Sequence, residues 1–78
     1  MSNLPPPNEF SAEVVKDNPI LQFFHYEHLP SPLKEISFVF CNAARSVLER
    51  CAASAERTNT FRKLLEAKDS AVRALSVS

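Results

Sequence analysis

The stretch ERTNTFRKLLEAKDSAVRALSV, residues 56–77, decides the fold of this chain. On a helix of about 3.6 residues per turn its apolar side chains fall on one side and its charged side chains on the other. Two basic residues break that pattern, because Lys68 lies in the middle of the apolar face and Arg57 lies on the same line. An unpaired buried charge is costly, so a basic residue here needs a partner or a ligand. The apolar face consists of Phe61, Leu64, Leu65, Ala67, Ala71, Val72, Ala74 and Leu75.

A second long helix is predicted upstream, over residues 32–51, because Ser31 followed by proline is a helix start signal. Its apolar arc is wider than one partner helix can cover, and Phe38 lies outside it among polar residues. Residues 52–55 make a short link, with Ser54 as N-cap of the last helix, which predicts an antiparallel helical hairpin. The arc consists of Leu33, Ile36, Val39, Phe40, Cys41, Ala43, Ala44, Val47, Leu48 and Cys51.

The first part of the chain reads as a tail, residues 1–18, followed by a single helical domain, residues 19–78. Consecutive prolines at positions 5–7 favour an extended polyproline conformation, so we expect the tail to be mobile. The spacing of Phe10, Val14 and Val15 leaves open a short turn of helix docked on the body. Asn18 and the proline after it start a short helix, which ends before Pro30.

The chain length predicts self-association. Seventy-eight residues make one small domain, and such domains often need a staple or an oligomeric partner. A hairpin with one short helix is too thin to enclose Phe38 and the wide arc. We therefore predict an all-α fold, with a short N-terminal helix and an antiparallel hairpin that assembles as a homo-oligomeric helical bundle.

Composition weighs against several classes of function. Nine basic and nine acidic residues balance, which disfavours a general nucleic-acid binder, and the absence of glycine argues against Gly-rich phosphate loops. No stretch has the length of a membrane span, and the first residues lack the pattern of a secretory signal. Cys41 and Cys51 would stand too far apart on one helix for a disulfide, so we expect thiols and a cytoplasmic location.

Catalytic and metal-binding groups are not expected. His25 and His28 have no nucleophile or metal-ligand spacing around them. Glu66 and Asp69 lie one turn from Arg62 and Arg73, respectively, which favours surface ion pairs over an acid–base pair. We therefore predict no enzyme activity, no cofactor and no metal.

Binding of a small anion is the stronger hypothesis. If the last helices of two subunits face each other, Arg57 and Lys68 point into a shared interior, where they could hold phosphate oxygens. Lys68 could instead extend to an edge with its stem packed on apolar neighbours, or meet a glutamate. The rings at 23–26 could stack on a planar ligand or cap the helix pair. The predicted ligand-binding residues are Arg57, Thr58, Arg62, Lys63, Lys68, Arg73, Phe24 and Tyr26.

Two segments also carry a resemblance. FFHYEHLPSPL and ERTNTFRKLLEAKDSAVRA resemble a family of very short bacteriophage and prophage proteins with the patterns FFxYEHLPxxL and ERTxxLRKLLEAKDxAVRA. The resemblance covers roughly residues 19–75. The chain departs from the family at Phe61, where leucine is usual, and before Glu56, where a turn with proline is usual.

The family is similar in size and helical character to phage sponge proteins, which sequester cyclic-nucleotide or cyclic ADP-ribose signals of bacterial immunity. Such proteins are oligomeric and non-catalytic, and they hold ligands between subunits with basic and aromatic side chains. The resemblance thus implies an anti-defence protein in the bacterial host cytoplasm that sequesters a cyclic nucleotide second messenger without cleaving it. The alternative hypothesis is a small helical protein-interaction module or inhibitor that docks on a host protein through Phe38 and the 23–26 rings.

Overall fold

The protein is all-α over the residues that the computed structural model describes, 9–77, with side chains described as far as Leu75. Helix α1 spans Ala12–Asp17 and is followed by a 3-10 helix at Pro19–Phe24. The two long helices are α2, Leu33–Arg50, and α3, Ala55–Val77. Both lie close to their predicted positions, and none of the described helices is long and apolar enough to cross a membrane.

The start of α3 confirms the predicted N-cap. The hydroxyl oxygen of Ser54 accepts a hydrogen bond from the backbone N–H of Arg57 at 3.1 Å. This bond satisfies one of the backbone donors that the first turn of a helix leaves without a partner. The carbonyl of Ser54 also accepts from the N–H of Thr58 at 3.1 Å, so the helix begins where the sequence indicates.

The core lies where α2, α3 and the 3-10 helix meet. Phe24 and Phe61 are its largest fully buried side chains, at 0% and 1% exposure. Burying one such side chain stabilises the fold by about 1.5–3 kcal/mol. Phe61 is on the apolar face of α3, which is covered within the same chain at Phe61 and partly at Leu64 and Leu65, while Leu75 near the end of the helix stays 37% exposed. The remaining buried hydrophobic residues are Phe10, Leu21, Tyr26, Cys41 and Ala44.

For residues 9–18 the structure bears out the alternative of a short helix docked on the body, so the domain begins earlier than the predicted residue 19. Phe10 is only 4% exposed, with the guanidinium of Arg45 4.7 Å from its ring centroid and the ring of His25 at 6.1 Å. Its backbone N–H donates to Nε2 of His25 at 3.3 Å. The body therefore begins no later than Glu9, and the predicted mobility of residues 1–8 lies outside the described residues.

The short helix after Asn18 also differs from its prediction, because it is a 3-10 helix that stops at Phe24. A carboxylate oxygen of Glu9 accepts hydrogen bonds from the backbone N–H groups of Tyr26 and Glu27, both at 2.8 Å. Those two donors would otherwise continue the helix, and the carboxylate satisfies them instead. Asn18 makes no side-chain cap for this helix; its amide donates to the carbonyl of Val14, at the end of α1, at 3.4 Å.

The outward side of α2 retains part of the apolar surface that the sequence predicted to be more than one partner helix can cover. The predicted arc is largely covered, since Cys41 and Ala44 are fully buried. Phe38 and Val39 stay 39% and 55% exposed, respectively, although the Phe38 ring meets the edge of Tyr26 at 5.1 Å. The excess apolar surface on this helix therefore narrows to two adjacent residues.

Candidate functional site

A groove of about 320 Å³ lies beside Lys68, between the start of α2 and the second half of α3. Its volume is at the lower end of the range for small-molecule pockets, about 300–1,000 Å³. Polar and apolar groups share its lining, so it suits a ligand with both characters. The groove is lined by Leu29, Leu33, Ser37, Lys68, Asp69, Val72 and Arg73.

Lys68 contributes the ammonium group of this groove. Its Nζ donates a hydrogen bond to the backbone carbonyl of Phe23, at the end of the 3-10 helix. Partial burial lowers the pKa of Lys68 below its ordinary value, and the charge of Asp69 and the thiol of Cys41 offset part of that shift. The partner of the lysine is therefore a neutral carbonyl, and its positive charge has no buried carboxylate to neutralise it.

Ser37 supplies a second polar group, one that the sequence did not single out. The residue is fully buried, and its Oγ has no hydrogen-bond partner. A buried hydroxyl without a partner costs about 1–3 kcal/mol, so a fold rarely retains one without a reason. The sequence does contain a signal for its burial: Ser37 is four residues after Leu33 and four before Cys41, which places it on the apolar side of α2.

Arg73 and Asp69 complete the charged lining. They stand four residues apart on α3, and the sequence predicted an ion pair between them. The structure corrects this, because the Arg73 guanidinium donates to the hydroxyl of Ser70 at 3.3 Å, and the ion pairs of the described residues are Lys34–Glu27 and Arg45–Glu49. With two basic side chains and one acidic side chain, the groove carries a positive balance.

Arg57 does not join Lys68 in one site. The two residues are eleven positions apart on α3, which is about 16 Å along the helix axis. The Arg57 guanidinium donates to the carbonyl of Cys51 at 2.9 Å and to Oδ1 of Asn18 at 3.5 Å, and it lies 5.8 Å from the centroid of Phe61. Arg57 therefore connects the end of α2 to the 3-10 helix, which is a structural role.

The other predicted site residues do not line the groove either, because some are exposed elsewhere on α3 and others are buried in the core. Thr58, Arg62 and Lys63 are exposed on α3 and do not line the groove. Phe24 and Tyr26 are buried at 0% and 5% exposure, so neither ring can stack on a ligand in this conformation.

Phe23 is one of the 23–26 rings considered for stacking, but it was not among the predicted ligand-binding residues. Its side chain is 55% exposed, and its carbonyl is the group that holds Lys68. The 3-10 helix buries Leu21 and Phe24, which are three residues apart and therefore on one side of it. Phe23 points to another side and stays outside the core. Phe23 is therefore the exposed ring of residues 23–26, and its backbone carbonyl contacts Lys68 of the groove.

The two cysteines differ in their chemistry. Neither forms a disulfide; Cys51 is exposed and Cys41 is buried. Burial, with a smaller contribution from the charge of Glu9, raises the pKa of Cys41 from 9.0 to about 12, while Arg45 and Lys68 oppose the shift. Because the thiolate is the reactive form of cysteine, this thiol is inert near neutral pH.

We therefore expect a maleimide reagent to modify only Cys51 in the native protein at pH 7.5. The Cys51→Ser variant should react only after unfolding in guanidinium chloride, which mass spectrometry can follow. Rapid labelling of native Cys51→Ser would contradict the burial of Cys41.

The raised pKa of Cys41 also predicts how stability depends on pH. The unfolded chain loses this thiol proton at a lower pH than the folded chain does, so the free energy of unfolding should fall as the pH rises from about 9 towards 12.

A metal-binding cluster is not found among the described residues. No group of three or more His, Cys, Asp or Glu side chains in that part of the chain could hold a metal ion. The groove itself contains one carboxylate and one hydroxyl but no imidazole or thiol. Its residues are suited to binding.

The fold and the groove together define a small all-α protein with an amphiphilic, net-positive cleft. Comparison of the chain with protein-family models, curated proteins and solved structures finds no match. The resemblance to short phage proteins therefore remains a hypothesis drawn from two sequence patterns.

Proposed function

We propose that this protein is a phage anti-defence binding protein that sequesters a cyclic nucleotide immune signal without cleaving it. The observation that carries the proposal is that one groove is lined both by the basic residue Lys68 and by Ser37, whose hydroxyl is buried and without a hydrogen-bond partner. Lys68 and Arg73 would hold phosphate oxygens through charge-assisted hydrogen bonds. The Ser37 hydroxyl is closed off in the ligand-free protein, so it would donate to the ligand after a local opening of the groove and thereby gain its missing partner.

The remaining groups fit the rest of a nucleotide. The exposed ring of Phe23 would stack on a base, since every nucleobase has a face that an aromatic ring can cover. Leu29, Leu33 and Val72 would exclude water from the sugar.

The proposal includes assembly as a homo-oligomer. α2 and α3 would form the antiparallel hairpin, and several hairpins would pack as a bundle in the bacterial cytoplasm. One groove of about 320 Å³ has room for a single nucleotide unit at most. A cyclic oligonucleotide would therefore need groups from a second subunit, as in a shared site.

A thermal-shift panel tests this function directly. Purified protein is mixed with cyclic dinucleotides, cyclic trinucleotides and cyclic ADP-ribose isomers, then denatured, and the ligand is recovered and analysed. One class should raise the melting temperature and return unaltered, because a ligand that binds only the native state stabilises it. A panel without any stabilising compound, or recovery of a cleaved product, would contradict the proposal.

Ser37→Ala provides a sharper prediction for the groove. Removing the unpartnered hydroxyl should leave the ligand-free protein equally stable or raise its free energy of unfolding by up to about 1–3 kcal/mol. Affinity for the stabilising ligand should fall by about 0.5–1.5 kcal/mol, the net value of one hydrogen bond. Urea unfolding and isothermal titration calorimetry measure the two effects.

Ser46→Ala is the matched control, because Ser46 is on the same helix and outside the groove. It accounts for the higher helix propensity of alanine. If Ser37→Ala destabilises the protein without ligand and leaves affinity unchanged, the hydroxyl has a structural partner and no role in binding.

The alternative function, a protein-interaction module, is favoured by one observation. Phe38 and Val39 remain exposed on α2, and an exposed apolar pair in a protein of this size often marks a contact surface. A host-protein partner would need this surface and would not need the groove.

A further inference from the structure

Exposed α2 residues form a narrow stripe along one side of the helix. At about 100° per residue, positions 35, 38, 39, 42 and 49 fall within one third of the circumference. All five are exposed, and the apolar pair lies between polar neighbours on both sides. The stripe consists of Glu35, Phe38, Val39, Asn42 and Glu49, and the remaining exposed residue of α2, Arg50, lies at its edge beside Glu49.

A shallow depression adjoins this stripe. It is lined by Tyr26, Lys34, Glu35 and Phe38 and has a volume of about 310 Å³. The Tyr26 ring is buried and meets Phe38 edge-on at 5.1 Å, so the floor is apolar and fixed. An aliphatic side chain from outside would fit there.

We infer that the stripe is a two-fold interface with a second copy of this chain, in which the α2 helices cross antiparallel at Phe38 and Val39. The polar residues decide the direction. In a parallel pair Glu35 would face Glu35 of the other copy and Glu49 would face Glu49, and like charges at such distances repel. In an antiparallel pair centred between residues 38 and 39, each Glu35 carboxylate faces an Asn42 amide, which can donate a hydrogen bond to it.

The same geometry accounts for the apolar pair. Around the two-fold axis, Val39 of each copy would lie opposite Phe38 of the other copy, and so next to the depression that Tyr26 and Phe38 of that copy line. A two-fold contact of this kind is self-complementary, since each residue type meets its counterpart twice. The inference places the self-association that Phe38 predicted on the outer side of α2, and not on the apolar face of α3, part of which Phe61 and its neighbours already use within the chain.

The stripe and the groove are on opposite sides of α2, so this contact would join two copies within the proposed oligomer without completing the groove, and its tests need no ligand. Light scattering and sedimentation of the full chain should give two or more copies of the 8.7 kDa chain, and Val39→Glu should at least halve that mass. Phe23→Glu is the matched control, because Phe23 is also 55% exposed but lies on the 3-10 helix; it should keep the mass of the unmutated protein. Circular dichroism checks that both variants stay helical.

Cysteine pairs test the direction even if Val39→Glu does not fold. In a Cys51→Ser background, Glu35→Cys combined with Asn42→Cys should form covalent dimers on mild oxidation. Glu35→Cys alone should not, because the two copies of that position would lie about 10 Å apart along the axis, beyond the reach of a disulfide.

A monomeric parent protein, or a Val39→Glu variant of unchanged mass, would overturn the interface. Cross-linking by Glu35→Cys alone would overturn the antiparallel direction. If deletion of residues 1–7 abolishes association, the occupant of the depression is the N-terminal segment of a chain and the α2 pairing is wrong. Ligand binding by a monomeric parent protein would overturn the interface and the proposed assembly, and it would leave only ligand capture by the groove standing.

Discussion

Phe10→Ala is expected to lower the free energy of unfolding by about 3–5 kcal/mol, the usual cost of removing a buried phenylalanine side chain. Phe10 is 4% exposed, beneath the guanidinium of Arg45 and beside the ring of His25. The truncation leaves a cavity and also removes the cation–π contact. Small domains have total stabilities of about 5–15 kcal/mol, so the variant should be partly unfolded at 37 °C. Urea denaturation followed by circular dichroism measures the change.

Phe23→Ala is the matched control for this experiment, because it removes the same side chain from a 55% exposed position. Its effect should stay within about 0.5 kcal/mol. Deletion of residues 1–7 should also leave the melting temperature nearly unchanged, as the sequence of the tail predicts. A loss below about 1 kcal/mol for Phe10→Ala would return residues 9–18 to the tail.

Lys68→Met is expected to weaken binding of the ligand that the thermal-shift panel identifies by about 1.5–3 kcal/mol, the range for hydrogen bonds to charged groups. Methionine retains most of the packed stem and removes the ammonium. Stability without ligand should change by less than about 1 kcal/mol. Burial disfavours the charge of Lys68, which offsets the lost bond to the Phe23 carbonyl. Isothermal titration calorimetry measures the affinity, and light scattering should show an unchanged mass.

Lys63→Met is the matched control, since Lys63 is an exposed lysine on the same helix and outside the groove. It and Arg62→Ala should lower affinity less than Lys68→Met does. If either abolishes binding while Lys68→Met does not, the ligand lies on the outer side of α3. Equal affinity in all three variants would mean that Lys68 only ties α3 to the 3-10 helix.

Local chemistry accounts for what could be predicted of the helices. The 3.6-residue periodicity of residues 56–77 and the Ser54 cap are properties of neighbouring residues, and α3 starts and packs as they indicate. The same is true of Lys68, since a basic residue on an apolar line can be recognised from spacing alone. The sequence therefore determined the long helices and the most informative residue of the groove.

The tertiary structure decided how distant residues combine. The carboxylate of Glu9 ends the 3-10 helix by accepting two N–H groups seventeen and eighteen residues away, and no local pattern contains that bond. Packing then placed Phe24 and Tyr26 in the core and left Phe23 outside, although all three rings lie within four positions. Which ring faces solvent depends on the direction in which the helix meets α2 and α3, and only the assembled chain defines that direction.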